Sequence, residues 1–283
     1  MLRADNVTYV HRTARAPVAG SRRGAGLSGS ADFRPLPGVQ QVSVSIDRGG
    51  SVALLGPNGS GKTTLLRLLA GLIKPQSGRV TLDGLDVAAI GRRELARRLA
   101  VVPQETHLAF DFTVLEVALM GRHPHLGAFE LEGPRDLAIA REALDATGTA
   151  HLGDRVFATL SGGEKQRVVI ASALAQQAGV LLLDEPTASL DLGYQLEIGA
   201  LVSRLNLERG LTVVVATHDL NFAASLCRAL VLIRDGHVQA AGPTEDTLTA
   251  DRIRALYGVT AEVHFHQAAG HLTVVPLGKA THA

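Results

Sequence analysis

The chain has 283 residues, 46% of them hydrophobic and 19% charged, with a formal net charge of +1. That composition fits a globular protein of one or two domains with room for a buried core. It excludes a large electrostatic field, so overall charge does not steer the chain toward nucleic acid or an anionic membrane.

The lone cysteine, Cys227, rules out a disulfide framework within one chain and suits a reducing cytoplasm. No uninterrupted apolar run nears the roughly 18 residues that span a bilayer. The opening "MLRADNVTYV" holds no apolar stretch of signal-peptide length. Any membrane-spanning part of its machinery is expected on another polypeptide.

In chain order, "NVTYV" (Asn6 to Val10) reads as a short strand. Residues 12–38 are rich in Gly, Ser, Arg, Ala and Pro without periodicity, which predicts a flexible insertion. "VSVSI" (Val42 to Ile46) alternates as a half-buried strand does, and "DRGG" turns the chain into the strand "SVALL". "TTLLRLLAGL" carries leucines on one helical face, with Gly71 as its stop. Further on, "RLAVVPQ", "GVLLLDEP" and "LTVVVATHD" are short apolar runs separated by helical stretches, the pattern of buried parallel strands in an α/β sheet. Residues 106–177 are mostly helical, with no evident strand, and read as a subdomain inserted into that sheet. "LVLIRDGHVQAAG" predicts a hairpin turning at Asp235-Gly236. A helix over residues 250–256 and a terminal pair of strands complete the reading.

"GPNGSGKT" follows a strand and opens a helix, the context in which a G-x-x-x-x-G-K-[ST] loop cradles phosphate. Gly56, Pro57, Asn58, Gly59, Ser60 and Gly61 turn backbone N–H groups inward, where the helix N-terminus adds partial positive charge. Lys62 is then expected to reach the β- and γ-phosphates, Thr63 to coordinate Mg²⁺, and Thr64 to complete the loop. Lysine is scarce, occurring only at 62, 74, 165 and 279, so its placement in this loop is informative.

"VLLLDEP" ends an apolar strand on Asp184 and Glu185. Ligands of α/β sheets bind outside the carboxyl ends of strands, so both acids are expected to face the phosphate crevice. Asp184 there holds Mg²⁺ and Glu185 accepts a proton from an attacking water. The plainer alternative is a solvated turn before Pro186.

A second glycine-rich stretch, "LSGGEKQRV", lacks the Lys-Thr ending and follows no strand. Ser161 and Glu164 have the spacing of a capping box at a helix start. A capping box does not require Gly162 and Gly163, which are costly near a helix. Two glycines beside a positive helix end also leave bare backbone for a phosphate, and the two roles are compatible.

With these motifs in this order from Gly56 to His218, the sequence resembles the nucleotide-binding subunit of an ATP-binding-cassette (ABC) transporter. "LSGGEKQ" resembles that family's signature. Gln104 in "VVPQE" matches its Q-loop, "ASLD" ending at Asp191 its D-loop, and His218 its switch histidine. The resemblance implies an α/β fold, a P-loop NTPase (RecA-like) core sheet with an antiparallel β subdomain and an inserted α-helical subdomain. It makes residues 1–260 the ATPase domain and 261–283 a C-terminal β extension.

It also implies ATP and Mg²⁺ as ligands, with Gln104 joining Thr63 and Asp184 around the metal and His218 contacting the γ-phosphate. Tyr9 resembles the aromatic that stacks on adenine, with Phe33 as its competitor. Two copies would pair head to tail, Ser161 and Gly163 serving the partner's nucleotide, with Gly162 and Asp191 also among the nucleotide-binding residues. The implied partners are membrane permease subunits and, indirectly, a periplasmic or surface substrate-binding protein, with no nucleic acid. The implied place is the cytoplasmic face of the inner (plasma) membrane.

"FTVLEVALMGRHPH", "SLDLGYQLEI" and "LYGVTAEVHFHQAAGHLTVVP" most resemble ATPases of iron-siderophore, haem and vitamin B12 importers. Residues 110–129 would then face the permease. His123 and His125, and the set His264, His266 and His271, are read as structural or solvated rather than metal ligands. A soluble ABC ATPase acting on nucleic acid or ribosomes, or a subunit for another cargo, is the competing reading.

Overall fold

The computed structural model describes residues 1–13, 34–106, 108–188 and 190–280. The first third builds β1 (Leu2–Thr13), β2 (Arg34–Ile46), β3 (Ser51–Leu55), α1 (Lys62–Leu69), β4 (Ser77–Leu82) and β5 (Leu85–Asp86). It ends in α2 (Arg92–Arg98) and β6 (Leu99–Val102). Then come α3 (Val114–Met120), α4 (Pro134–Ala146), α5 (Gly162–Ala175), β7 (Val180–Asp184), α6 (Leu192–Arg209), β8 (Thr212–Thr217) and α7 (Leu220–Leu226). The chain closes with β9 (Ala229–Arg234), β10 (His237–Pro243), α8 (Thr244–Thr247), α9 (Ala250–Tyr257), β11 (Val259–His266) and β12 (His271–Lys279).

A six-stranded sheet in the order β10-β9-β3-β8-β7-β6 carries the fold. All its pairings are parallel except the edge hairpin β9–β10. β3, β7 and β8 are buried along their whole length, because both faces of the sheet are covered. The two-residue period of a strand then divides their side chains between two cores. Leu54, Leu182 and Val214 join the core under α1 and the second sheet, while Leu55, Leu183 and Val215 join the core under the helical segment and the C-terminal elements.

The second sheet, β2-β1-β4-β5, is antiparallel throughout. β1 extends beyond the expected Asn6 to Val10, and its pairing with β2 continues to Thr13↔Arg34. The ends of the expected 12–38 insertion are therefore strand. Residues 14–33, including Phe33, lie outside the described residues.

Within 106–177 the described chain forms α3, α4, α5 and short 3₁₀ turns, with one isolated bridge between Thr113 and Val156. Buried Arg122 ties this segment together, bonding Asp136, the Ala175 carbonyl and Gln177. His125 bonds the Gln176 carbonyl, a structural use.

The expected hairpin turns at Asp235 and Gly236, whose positive φ angles (51° and 80°) are those of a type I′ turn. β11 and β12 pair antiparallel and begin at Val259 rather than 261. Among the described residues no helix is long and apolar enough to cross a membrane.

Candidate functional site

Strand register gathers the site. β8 lies between β3 and β7, with Leu55 opposite Thr217 and Asp184 opposite Ala216. The next residues, Gly56, His218 and Glu185, therefore leave the sheet side by side at its carboxyl edge.

Gly56 passes so close to β9 that a Cβ there would stand 2.1 Å from the Ile233 carbonyl oxygen. Gly61, the N-cap of α1, has φ of 109°, open to glycine and strained for other residues. Between them Pro57 and Ser60 close a turn, leaving Asn58 and Gly59 at the exposed tip. The β9–β10 turn supports the loop, Gly236 N–H donating to the Ser60 carbonyl at 3.0 Å.

Lys62 is 5% exposed and folds back over its own loop. Its Nζ donates to the Gly56 carbonyl at 2.8 Å and the Pro57 carbonyl at 3.2 Å, and lies 3.6 Å from Glu185 Oε1. Burial holds the ammonium below its usual pKa, against the opposing pull of Glu185 and Asp184. Thr63 Oγ1 donates to Asp184 Oδ1 at 2.9 Å. Burial raises the Asp184 carboxyl, opposed by the Thr63 bond and reinforced by the Glu185 charge. Thr64 bonds His11 Nε2 at 3.0 Å.

Glu185 stands between two cations or potential cations. Besides Lys62, its Oε2 lies 2.9 Å from His218 Nδ1. Its φ of 47° is rare outside glycine, and Pro186 follows it. Such strain costs on the order of 1–3 kcal/mol and gathers where side-chain direction matters. Here it breaks β7 at the point that aims a carboxylate into the crevice.

The groups fit a magnesium–triphosphate ligand. Ser60 Oγ is buried and meets no protein partner. Thr63 Oγ1 and Asp184 Oδ1 are two hard oxygens side by side, and Mg²⁺ takes one or two such ligands beside substrate phosphates.

The second glycine-rich stretch is placed otherwise. Ser161 caps α5, accepting from Glu164 N–H while the Glu164 carboxylate accepts from Ser161 N–H and hydroxyl. The bonds of Ser161 run to Glu164 and Tyr194, and Ser161 and Gly162 are exposed. Gly163 is buried under the Tyr194 ring, so that a Cβ would stand 2.2 Å from Tyr194 Cδ1. Arg167 lies 5.8 Å over the same ring and pairs with Glu197. Asp191 caps α6, accepting from Tyr194 N–H.

Gln104 is exposed and lines a cleft of about 320 Å³ with Gly162, Lys165, Gln166, Ala188 and Leu190. Tyr9 is half-buried on β1, edge-on to His11 with centroids 5.1 Å apart. Among the described residues no three His, Cys, Asp or Glu side chains form a metal-binding group. His266 and His271 are register partners that bond nearby main chain instead.

Sequence reasoning missed His11, Tyr194 and Tyr257. The Tyr257 hydroxyl lies 3.5 Å from the His218 carbonyl. No local pattern marks these three, because each acts across long sequence separation.

Sheet order, loop and carboxylates define a nucleotide-binding P-loop protein. The model of the family described as "ABC transporter" matches residues 39–188. The hemin import ATP-binding protein of Gloeobacter violaceus is 46% identical over 250 residues, 86% of this chain and 90% of its own. The cobalamin import ATP-binding protein of Halobacterium salinarum is 45% identical over 245 residues, 87% of this chain. The chain spans only 61% of that relative's length.

Among solved structures, an inward-facing metal-chelate type ABC transporter matches with TM-score 0.77 at 29% identity, covering 98% of this chain and 96% of its own. A dimeric ATP-binding cassette in a post-hydrolysis state, bound to ADP and Pi, matches with TM-score 0.70 at 30% identity, covering 86% and 99%. The chain belongs to the ABC transporter family.

Two predictions concern stability. Alanine in a helix is favoured over glycine by about 1 kcal/mol, yet Gly163→Ala lowers the melting temperature because it displaces Tyr194. In a Tyr194→Ala background the same change becomes neutral or stabilising; a loss in both backgrounds contradicts the packing.

Raised by burial, the Asp184 carboxyl stabilises the nucleotide-free fold fully only while protonated, below its ordinary pKa. That contribution is lost as pH rises through the raised value. Asp184→Asn in EDTA therefore melts above the parent at pH 8, and the gap closes as pH falls toward 4. Equal melting at pH 8 contradicts the assignment.

Proposed function

We propose that this chain is the ATP-hydrolysing motor subunit of a bacterial importer for an iron-siderophore, haem or cobalamin, working through a separately encoded permease. The observation that carries the reading is the Lys62–Glu185–His218 cluster at the edge of three register-locked strands, with a capped, exposed Ser161 standing apart from it. The named functions of the hemin and cobalamin relatives support the cargo class.

Lys62 leaves its loop carbonyls for the β- and γ-phosphates, and Gly56 through Thr64 surround them with main-chain N–H groups. Thr63 and Asp184 hold Mg²⁺, with Gln104 approaching as the helical subdomain moves. Held there, the metal would neutralise charge on the phosphate oxygens. Glu185 takes the proton of the attacking water, worth roughly 10² to 10⁴ in rate. His218 holds that carboxylate and meets the γ-phosphate. Tyr9 stacks on adenine, supported by its half-exposed ring beside the His11–Thr64 bond.

A second copy supplies Ser161, Gly162, Gly163 and Asp191 to the same nucleotide. ATP then closes a homodimer, and loss of the γ-phosphate loosens it, a population shift driven by ligand. The dimeric solved cassette supports this arrangement. Phe110, at 75% exposure, and the fully exposed Phe129 offer apolar surface on the helical subdomain to permease helices. The assembly sits at the cytoplasmic face of the inner membrane and receives cargo indirectly from a substrate-binding protein.

Mixing separates shared sites from private ones. Lys62→Ala and Ser161→Arg chains are each inactive as homodimers, but their mixture regains ATPase activity through one intact composite site. No recovery at any mixing ratio contradicts a site built from two copies.

A further inference from the structure

Two helix starts meet where the second glycine-rich stretch lies. α5 begins at Ser161 and α6 at Asp191, and each of these side chains caps its own helix. Asp191 Oδ1 accepts from the Tyr194 N–H at 3.0 Å, which fixes Tyr194 in the first turn of α6. From there its half-buried ring lies on the first turn of α5.

A missing side chain makes the seat for that ring. A Cβ at Gly163 would stand between 2.2 and 2.7 Å from three atoms of the Tyr194 ring, Cδ1, Cγ and Cε1. Glycine is a poor helix former, so its presence inside α5 answers to the ring. Gly162 differs. It is exposed, and the nearest atom to a Cβ there is Leu190 Cδ2 at 3.4 Å. The two glycines therefore divide the work, Gly162 leaving main chain open and Gly163 receiving the ring.

Further contacts hold the two helix starts together. Arg167, one turn along α5, lies with its guanidinium carbon 5.8 Å from the ring centroid. A cation over an aromatic face is attracted by the ring quadrupole. Arg167 also pairs with Glu197, one turn along α6, at 2.8 Å. Gln195 donates to the Leu190 carbonyl at 3.0 Å, which fastens the loop before α6 to the same turn. The phenol hydroxyl stands 3.5 Å from the Ser161 hydroxyl, so the ring face and not that bond carries the contact.

We propose that Tyr194 is a positioning residue for the composite nucleotide site: its ring, seated on Gly163, locks Ser161 and Asp191 into one rigid unit that one copy offers to the other's nucleotide. This rests on the two-copy reading above. The ring acts through those two groups and not on a reacting atom.

Placement within a mixed dimer tests it. In a mixture of Lys62→Ala and Ser161→Arg chains, the working site takes its phosphate loop from the Ser161→Arg chain and its Ser161 helix start from the Lys62→Ala chain. Tyr194→Ala added to the Lys62→Ala chain lowers the recovered kcat roughly five- to hundredfold, the scale of a misplacement of up to about 1 Å. Added to the Ser161→Arg chain, whose own helix start is idle, the same change leaves kcat within about twofold. Tyr194→Phe in the Lys62→Ala chain keeps the ring and also stays within about twofold.

An equal loss in both placements is a folding defect and overturns the proposal. No loss in either placement overturns it as well, and so does a Tyr194→Phe chain as impaired as Tyr194→Ala. A mixture that recovers no activity before Tyr194 is changed refutes the two-copy reading instead. Amide exchange across residues 160–166 of the nucleotide-free chain then decides the rest: faster exchange in Tyr194→Ala than in Tyr194→Phe keeps the ring's hold on the helix start, and equal exchange removes it.

Discussion

A buried ammonium is the constraint on which the rest of this structure turns. Lys62 is held in a crevice where burial weighs against its charge, and it is satisfied by two carbonyls of its own loop and by Glu185 3.6 Å away. Two neighbouring carboxylates share that crevice, and burial weighs against Asp184 as well. Buried ions are stable only when well paired. In the proposed function a triphosphate and its metal would add an anion beside Lys62 and a cation beside Asp184. The strain at Glu185 belongs to the same economy, stability given up locally so that one carboxylate points at one place.

The fold serves that crevice through register. Shifting β7 or β8 by one residue would turn Asp184 and the following Glu185 away, and would also exchange the contents of the two cores. Hydrophobic packing and site geometry are therefore fixed by one set of pairings. The signature helix α5 depends on different contacts, with Ser161 capping it and Tyr194 covering Gly163. One copy thus presents the Lys62–Glu185–His218 edge and a separate, exposed helix start. Each is built by its own part of the chain.

Much of this was legible in the sequence because it is local. The loop glycines, the Ser161–Glu164 capping box, the apolar strands ending in Asp184 and His218, and the Asp235-Gly236 turn are each written within a few residues. The β4–β5 strands and the short α2 went unread, since "SGRVTLDGLD" buries only Val80 and Leu82 and α2 buries only Leu95. The span of β1 to Thr13 was missed because its distal end pairs across an insertion of coil-like composition.

Side-chain meetings over long separations were invisible. His11 with Thr64, Gly163 with Tyr194 and Tyr257 with the His218 carbonyl leave no spacing signature. Gln104 sits in a clear local motif, and in the structure it lines the cleft beside α5.

Light-scattering mass of Glu185→Gln tests the two-copy site most directly. With Mg-ATP the 29.7 kDa chain is expected to run at twice its mass, and adding Ser161→Arg to the same chain returns it to one copy. A single-copy mass with saturating ATP bound, or a dimer indifferent to the Ser161 change, would contradict the account.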